Sequence, residues 1–203
     1  MLQLNAVIMA AGQSRRFGSN KLLLSLQGKP VIQHLLDQFP FNLFHQVVLV
    51  YSHEPVRLIA QKYPLILCHN DHPSQGKGGT IRLGLETCDD GEGTLFLVGD
   101  QPLLRRATII TLTKKFLNHP KNIVMPVIGK TPCNPVFFPE ACLPELKTLQ
   151  GDVGGKVVIQ KHADLIVRVP FDDANEFVDI DAPETYEKLI KVCCDEQISR
   201  KSQ

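Results

Sequence analysis

At 203 residues and 22.6 kDa the chain has the length of one domain, and its 43% hydrophobic and 21% charged residues describe an ordinary globular protein able to bury a sizeable core. A formal charge of +1, from 22 basic and 21 acidic residues, leaves no overall field to draw the molecule to nucleic acid or to an anionic membrane. The longest apolar runs fall well short of the roughly 20 residues that span a bilayer, the N-terminus lacks a leader pattern, and the six cysteines show no C-x-x-C spacing; a cytoplasmic protein without structural zinc or a disulfide frame is expected.

Short runs rich in β-branched residues alternate with helix-like segments, the pattern of an α/β protein whose mostly parallel sheet is covered on both faces in three layers. In chain order, strands are expected at 4–9, 46–51, 65–69, 94–98, 123–127, 136–138 and 165–169. Helices are expected at 31–38, 54–62, 79–87, 108–117, 144–149, 155–162 and 183–193. After about residue 128 the alternation weakens, because prolines at 132, 135, 139 and 144 interrupt it, and a local antiparallel or mixed addition is expected there. One domain over 1–194 is the expected organisation, with the polar, aperiodic 195–203 as a flexible tail.

The first strand runs into Met9-Ala10-Ala11-Gly12-Gln13-Ser14-Arg15-Arg16-Phe17-Gly18-Ser19-Asn20-Lys21, small residues first and cations later. Small side chains let backbone N–H groups approach a polyphosphate, and Arg16 and Lys21 can neutralise its charge. The position also suits a ligand, since open α/β sheets bind beyond the carboxyl ends of their strands. Neither the P-loop nor the G-x-G-x-x-G pattern occurs, and composition alone equally allows Gly12 and Gly18 to be turn residues beside a solvated basic face.

The residues from 9 to 32 resemble the signature of MobA-like nucleotidyltransferases, in particular the molybdenum cofactor cytidylyltransferases. Their pattern A-A-G-x-S-x-R-M-G-x-x-K-L-L-L, then G-x-P-L-I, is matched by Ala10, Ala11, Gly12, Ser14, Arg16, Gly18, Lys21, Leu22, Leu23, Leu24, Gly28, Pro30 and Ile32. Phe17 and Ser25 depart from it without touching the charged positions. The resemblance implies a Rossmann-like sheet of the nucleotide-diphospho-sugar transferase type, with Arg16 and Lys21 as catalytic groups and Ala10, Ala11, Gly12, Ser14, Arg16 and Lys21 binding nucleotide.

Asp100 follows a buried apolar strand in Gly99-Asp100-Gln101-Pro102, so it would be delivered to the phosphates from the strand tip. Hard oxygen ligands suit Mg²⁺ there, with a helix cap as the other reading of the same residue. The family's G-D-x-P carries its metal-binding Asp at this place, which implies a catalytic, metal-holding Asp100 and Mg²⁺ as cofactor, Mn²⁺ being the alternative. A second acidic group, Asp179-Ile180-Asp181-Ala182-Pro183-Glu184, resembles the residues before the family's T-P-E-D. In extended chain both aspartates point one way and Ile180 the other; Asp179 is expected as the second metal ligand and Asp181 as the helix cap.

The stretch 76–85 resembles G-x-x-x-S-L-R-x-G-L, which implies nucleotide contacts from Gly79 and Thr80, while Arg82 reads equally as a surface residue. On the acceptor side, 131–138 resembles G-x-P-V-L-F with Cys133 in the glycine place, and 151–156 resembles G-D-x-G-A-R with Lys156 for arginine. Asn134, Asp152 and Lys156 are thereby expected to bind acceptor, against the plain reading of 151–155 as a turn. Within the family an Ala-Ala-Gly opening accompanies cytidine transfer, the Ala11 methyl being expected to fill room that a purine needs.

Taken together, the resemblance implies transfer of CMP from CTP to molybdopterin with release of pyrophosphate, with a molybdenum hydroxylase as a further partner. Guanylyl or uridylyl transfer to another phosphorylated acceptor is the competing activity, and a non-catalytic carrier of cofactor the competing class.

Overall fold

The computed structural model describes residues 3–14 and 16–201, with side chains described as far as Cys194. Arg15, named above among the loop cations, lies outside the described residues. Ten strands and seven α-helices follow one another as β1 (Leu4–Ala10), β2 (Ser25–Leu26), β3 (Lys29–Pro30), α1 (Val31–Gln38), β4 (Gln46–Tyr51), α2 (Glu54–Ala60), β5 (Ile66–His69), α3 (Gly76–Thr87), β6 (Gly93–Val98), α4 (Arg106–Asn118), β7 (Ile123–Ile128), β8 (Thr131–Pro132), β9 (Val136–Pro139), α5 (Leu143–Lys147), α6 (Lys156–Lys161), β10 (Ile166–Phe171) and α7 (Pro183–Lys201). These counts refer to the described residues.

The main sheet has the order β10-β7-β9-β6-β1-β4-β5, with β8 paired to β7. Strand β1 lies parallel to both β4 and β6, with Val7 opposite Val48 on one side and Phe96 on the other. Strand β9 runs antiparallel to both β6 and β7, which is the mixed addition expected from the broken alternation after residue 128. The short β2–β3 hairpin was not foreseen. Its two-residue turn places Gln27 at φ 48° and Gly28 at φ 79°, the left-handed pair that a tight hairpin needs.

Alternate residues of β1 enter opposite layers. Leu4, Ala6, Ile8 and Ala10 join one buried cluster with Val31, Ile32, Leu35 and Leu36 of α1, Ile109, Leu112 and Phe116 of α4, and Leu189 of α7. Val7 joins the other cluster with Ile81 and Leu85 of α3, Leu146 of α5 and Val158 of α6. Each layer therefore buries a helical stripe on one sheet face, and the three-layer expectation holds.

Connectivity decides where a ligand fits. The chain leaves β1 through α1 to β4 on one side, then returns from β5 through α3 to β6 on the other side of β1. Strand order thus reverses between β1 and β6, so the loops after these strands diverge and leave a crevice at their carboxyl ends. Helix α7, expected to end at 193, continues to Lys201. Of the tail expected to be flexible, 202–203 lie outside the described residues.

Candidate active site

The loop after β1 is held by its own polar groups. Asn20 accepts from the Leu22 amide at 3.0 Å and opens a 3-10 turn over Lys21–Leu23, whose Leu22 is buried in the core. Ser14 adopts φ 48°, unusual for a residue with a side chain, and its hydroxyl accepts from the Lys21 amide at 3.1 Å. Anchored at both ends in this way, the Lys21 backbone aims its side chain into the crevice.

Gly12 carries a different message. A Cβ added there would meet nothing within 4 Å, and its φ is not in the left-handed region. Neither packing nor backbone conformation requires a glycine, so the open space is room for something to approach the main chain. Gly18, at φ 65°, is needed by the turn itself.

Asp100 lies two residues beyond β6 and is mostly buried. The amide of Gly99 donates to the Met9 carbonyl at 2.9 Å, which ties the end of β6 to the end of β1 and brings Asp100 to the loop. Helix α4 starts at Arg106 behind an Arg105 N-cap, so the helix-cap reading of Asp100 is excluded. The Lys21 ammonium instead donates to Asp100 Oδ2, and to Asp181 Oδ1 at 3.1 Å.

The segment 177–181 crosses the same crevice. Ile180 is fully buried, as the alternation argument required, and its amide donates to the Asp100 carbonyl at 3.1 Å. Asp181 is not the cap of α7: Ala182 holds the N-cap position, its carbonyl accepting from Thr185 and Tyr186 at 3.0 and 3.2 Å. The helix begins one residue later than a cap at 181 requires, and the Asp181 carboxylate is engaged by Lys21. Arg16 donates to the Asp181 carbonyl at 3.5 Å, so the loop cations and the acidic segment meet.

Asp179 stands behind this pair. Burial, then the charges of Asp100 and Asp181, push its carboxyl up to about 7 against the opposing pull of Lys21 and Gln101. For Lys21, burial disfavours the charged form, but the charge and hydrogen bond of Asp100, followed by Asp181, outweigh it and raise the ammonium above its ordinary range. One ammonium thus faces three carboxylates, and Asp179 Oδ1 is buried without a hydrogen-bond partner.

That arrangement fits a divalent cation: all the donors are hard oxygens, and the surplus of negative charge is unpaired. Among the described residues no three His, Cys, Asp or Glu side chains form a ready metal cage.

The remaining candidates are placed less directly. Ala10 and Ala11 are buried, and the Ala11 methyl belongs to the apolar cluster of Val7, Val48, Val50 and Ile81. It faces core, so filling of a base pocket by that methyl is not what the packing shows. Thr80 is buried, its hydroxyl donating to the Gly76 carbonyl at 3.4 Å and accepting from Asn70 at 3.3 Å. Gly79 is buried beside it in α3, where an added Cβ would lie 3.2 Å from Gln75 Cβ.

Gly76 and Gly78 have a packing role that the nucleotide reading overlooked. A Cβ on Gly76 would come within 2.5 Å of the Gly151 carbonyl oxygen, and one on Gly78 within 2.8 Å of the Leu149 and Gln150 backbone. The Gly78 amide donates to that Gly151 carbonyl at 3.0 Å. The start of α3 and the 149–152 turn are therefore in backbone contact, which sets Asp152 beside the glycine-rich helix, while Lys156 is exposed at the start of α6. Asn134, half-buried, precedes β9 through a cis bond to Pro135. Its neighbour Cys133 has its thiol raised by burial, with Asp179 adding to the shift, so the 131–134 segment adjoins the acidic group. A cavity of about 150 Å³ lies at the other end of the sheet, lined by Asn5, Cys88, Asp89, Glu140 and Lys147, away from all of these.

Sequence reasoning missed Asp181 as a member of the site. The signal was present in the Asp-Ile-Asp alternation, which sends both carboxylates the same way.

The chain is similar to known proteins in both sequence and fold. The Purine catabolism protein PucB of Bacillus subtilis is 26% identical over 199 residues, 90% of this chain and 94% of its own. A protein described as a probable molybdenum cofactor guanylyltransferase of Pyrococcus horikoshii is 32% identical over 128 residues, 62% of each chain. The crystal structure of Rv0371c from Mycobacterium tuberculosis superposes with a TM-score of 0.78 at 21% identity, over 93% of this chain and 98% of that one, and its complex with manganese with a TM-score of 0.73. The structural likenesses show a shared fold. The pattern of the "MobA-like NTP transferase domain" matches residues 6–165, and with most of its length so covered the chain belongs to the MobA-like family of nucleotidyltransferases.

Proposed function

We propose that this nucleotidyltransferase transfers CMP from CTP to the phosphate of a molybdopterin-type acceptor, releasing pyrophosphate. The observation that carries the reading is the convergence of Lys21 with Asp100, Asp179 and Asp181 beside the open Gly12 main chain, at the reversal point between β1 and β6. An acceptor phosphate oxygen attacks the α-phosphorus, the bond to the bridging oxygen breaks, and pyrophosphate leaves with that oxygen. A phosphomonoester has its second pKa near 6, so it reaches the site ionised at neutral pH and no protein base is required.

What the chain does is position and neutralise. Lys21 and Arg16 bind the triphosphate, and the Gly12 main chain and Ser14 shape the cradle around it. When a triphosphate arrives, Lys21 exchanges carboxylate partners for phosphate oxygens. Asp100 and Asp179 would hold Mg²⁺ or Mn²⁺, with Asp181 as the further carboxylate at hand, and the ion supplies charge neutralisation at the reacting phosphate. Asn134, Asp152 and Lys156 are proposed to face the acceptor, and a molybdenum hydroxylase is the proposed recipient of the product.

The Ala-Ala-Gly opening favours CTP, whereas the Pyrococcus relative, described as a guanylyltransferase, makes GTP the competing donor. Pyrophosphate release with molybdopterin and each of CTP, GTP, UTP and ATP tests the reading. Preference for CTP supports it, preference for GTP moves it to guanylyl transfer, and cofactor binding without any release identifies a carrier.

A further inference from the structure

The residue after Asp100 is an amide in a place where an apolar side chain would bury more easily. Gln101 is 1% exposed, and a buried amide is costly unless it is bonded. Its Nε2 donates to the Phe177 carbonyl at 3.0 Å. One residue earlier, the Asp100 carbonyl accepts from the Ile180 amide at 3.1 Å. Two bonds therefore clamp the 177–180 segment onto the 100–101 turn, and each aspartate of the proposed pair is adjacent in sequence to a clamped residue. The Gln101 amide also adjoins the Asp179 carboxylate, while Gln101 Oε1 and Asp179 Oδ1 have no hydrogen-bond partner. An apolar side chain of the same length would fill the space and lose both the clamp and the polar neighbour.

We infer that Gln101 is the positioning residue of the site: by tying Phe177 to the turn that carries Asp100, it sets where Asp179 stands relative to Asp100. The inference rests on the functional reading above, in which these carboxylates hold a divalent cation. Groups that orient metal ligands without touching the metal typically govern affinity by 10- to 100-fold. Gln101 acts through Asp179, so its loss weakens metal binding and leaves the triphosphate contacts of Lys21 and Arg16 in place.

The test compares wild type with Gln101→Met, and with Gln101→Asn, which keeps the amide but is one methylene too short to span the gap. Mn²⁺ binding to nucleotide-free protein is followed by electron paramagnetic resonance, and pyrophosphate release is titrated with Mn²⁺ at saturating CTP and acceptor. The expected result in whichever variant retains the wild-type circular dichroism spectrum is about tenfold weaker Mn²⁺ binding. Half-maximal release moves to correspondingly higher Mn²⁺, with recovery of kcat at saturating metal and an unchanged KM for CTP. Mn²⁺ affinity within twofold of wild type overturns the inference while leaving the functional reading intact, as does a kcat loss that metal does not restore. Failure of both variants to fold likewise assigns Gln101 to the fold and overturns it. A wild-type protein that binds no Mn²⁺ and releases no pyrophosphate overturns the functional reading itself.

Discussion

Lys21 is the residue on which the site turns, because its ammonium is the group shared by Asp100 and Asp181. Replacing Asp100 with alanine removes the carboxylate at the strand tip, and turnover is expected to fall by about 10² or more, as when other electrostatic contacts to a transition state are lost. Asp179 gives a separate prediction in stability. Its carboxyl is raised from 3.8 to about 7, so the folded state holds a proton that the unfolded chain releases between those values. The penalty is absent below pH 4, grows as pH rises, and is complete above 7, where it amounts to up to about 4 kcal/mol. Asp179→Asn is therefore expected to be more stable than wild type at pH 8 without metal, and no more stable at pH 4, as read by denaturant midpoints at the two pH values. Equal midpoints at pH 8 would show that Asp179 is not held in this repulsive setting.

Between elements, backbone contacts without side chains position the parts. Gly78 lets α3 meet the 149–152 turn, and a methyl at that position would press on main-chain atoms at 2.8 Å. Gly78→Ala is expected to cost about 1–3 kcal/mol in a denaturant melt, with a loss of acceptor affinity if Asp152 moves with the turn. Contacts of this kind explain which parts of the molecule could be read in advance. Strands such as Val47–Val50 of β4 and Thr94–Leu97 of β6 announce themselves by buried β-branched and apolar runs, and the residues from 9 to 32 carry the phosphate loop as a contiguous pattern. Asp181 was misread because a helix cap and a crevice-facing carboxylate share the same local sequence, and only the long-range approach of Lys21 separates them. The packing role of Gly76 and Gly78 could not be read from the sequence because the turn that explains it is some 70 residues away. Gln101 gave no signal at all, since its partner is the carbonyl of Phe177 and carbonyls have no sequence signature.

On the scale of the molecule, the reversal of strand order between β1 and β6 brings residues 9–21, 99–101 and 177–181 to one crevice. Binding of metal and nucleotide there stabilises the fold by mass action, about 2.7 kcal/mol at a ligand concentration 100 times its Kd. A rise in Tm with CTP and Mg²⁺ together, larger than the sum of the rises with each alone, is expected because Lys21 needs new phosphate partners when its carboxylates turn to the metal. Additive shifts would contradict that exchange. No described helix is long and apolar enough to cross a membrane.

Pyrophosphate release from CTP with molybdopterin, measured side by side for wild type and Asp100→Ala, bears on all of these scales together. Metal-dependent release by the wild type, at least 10²-fold slower in the variant, is the expected result. Release at equal rates by both proteins would remove the converging carboxylates from the chemistry.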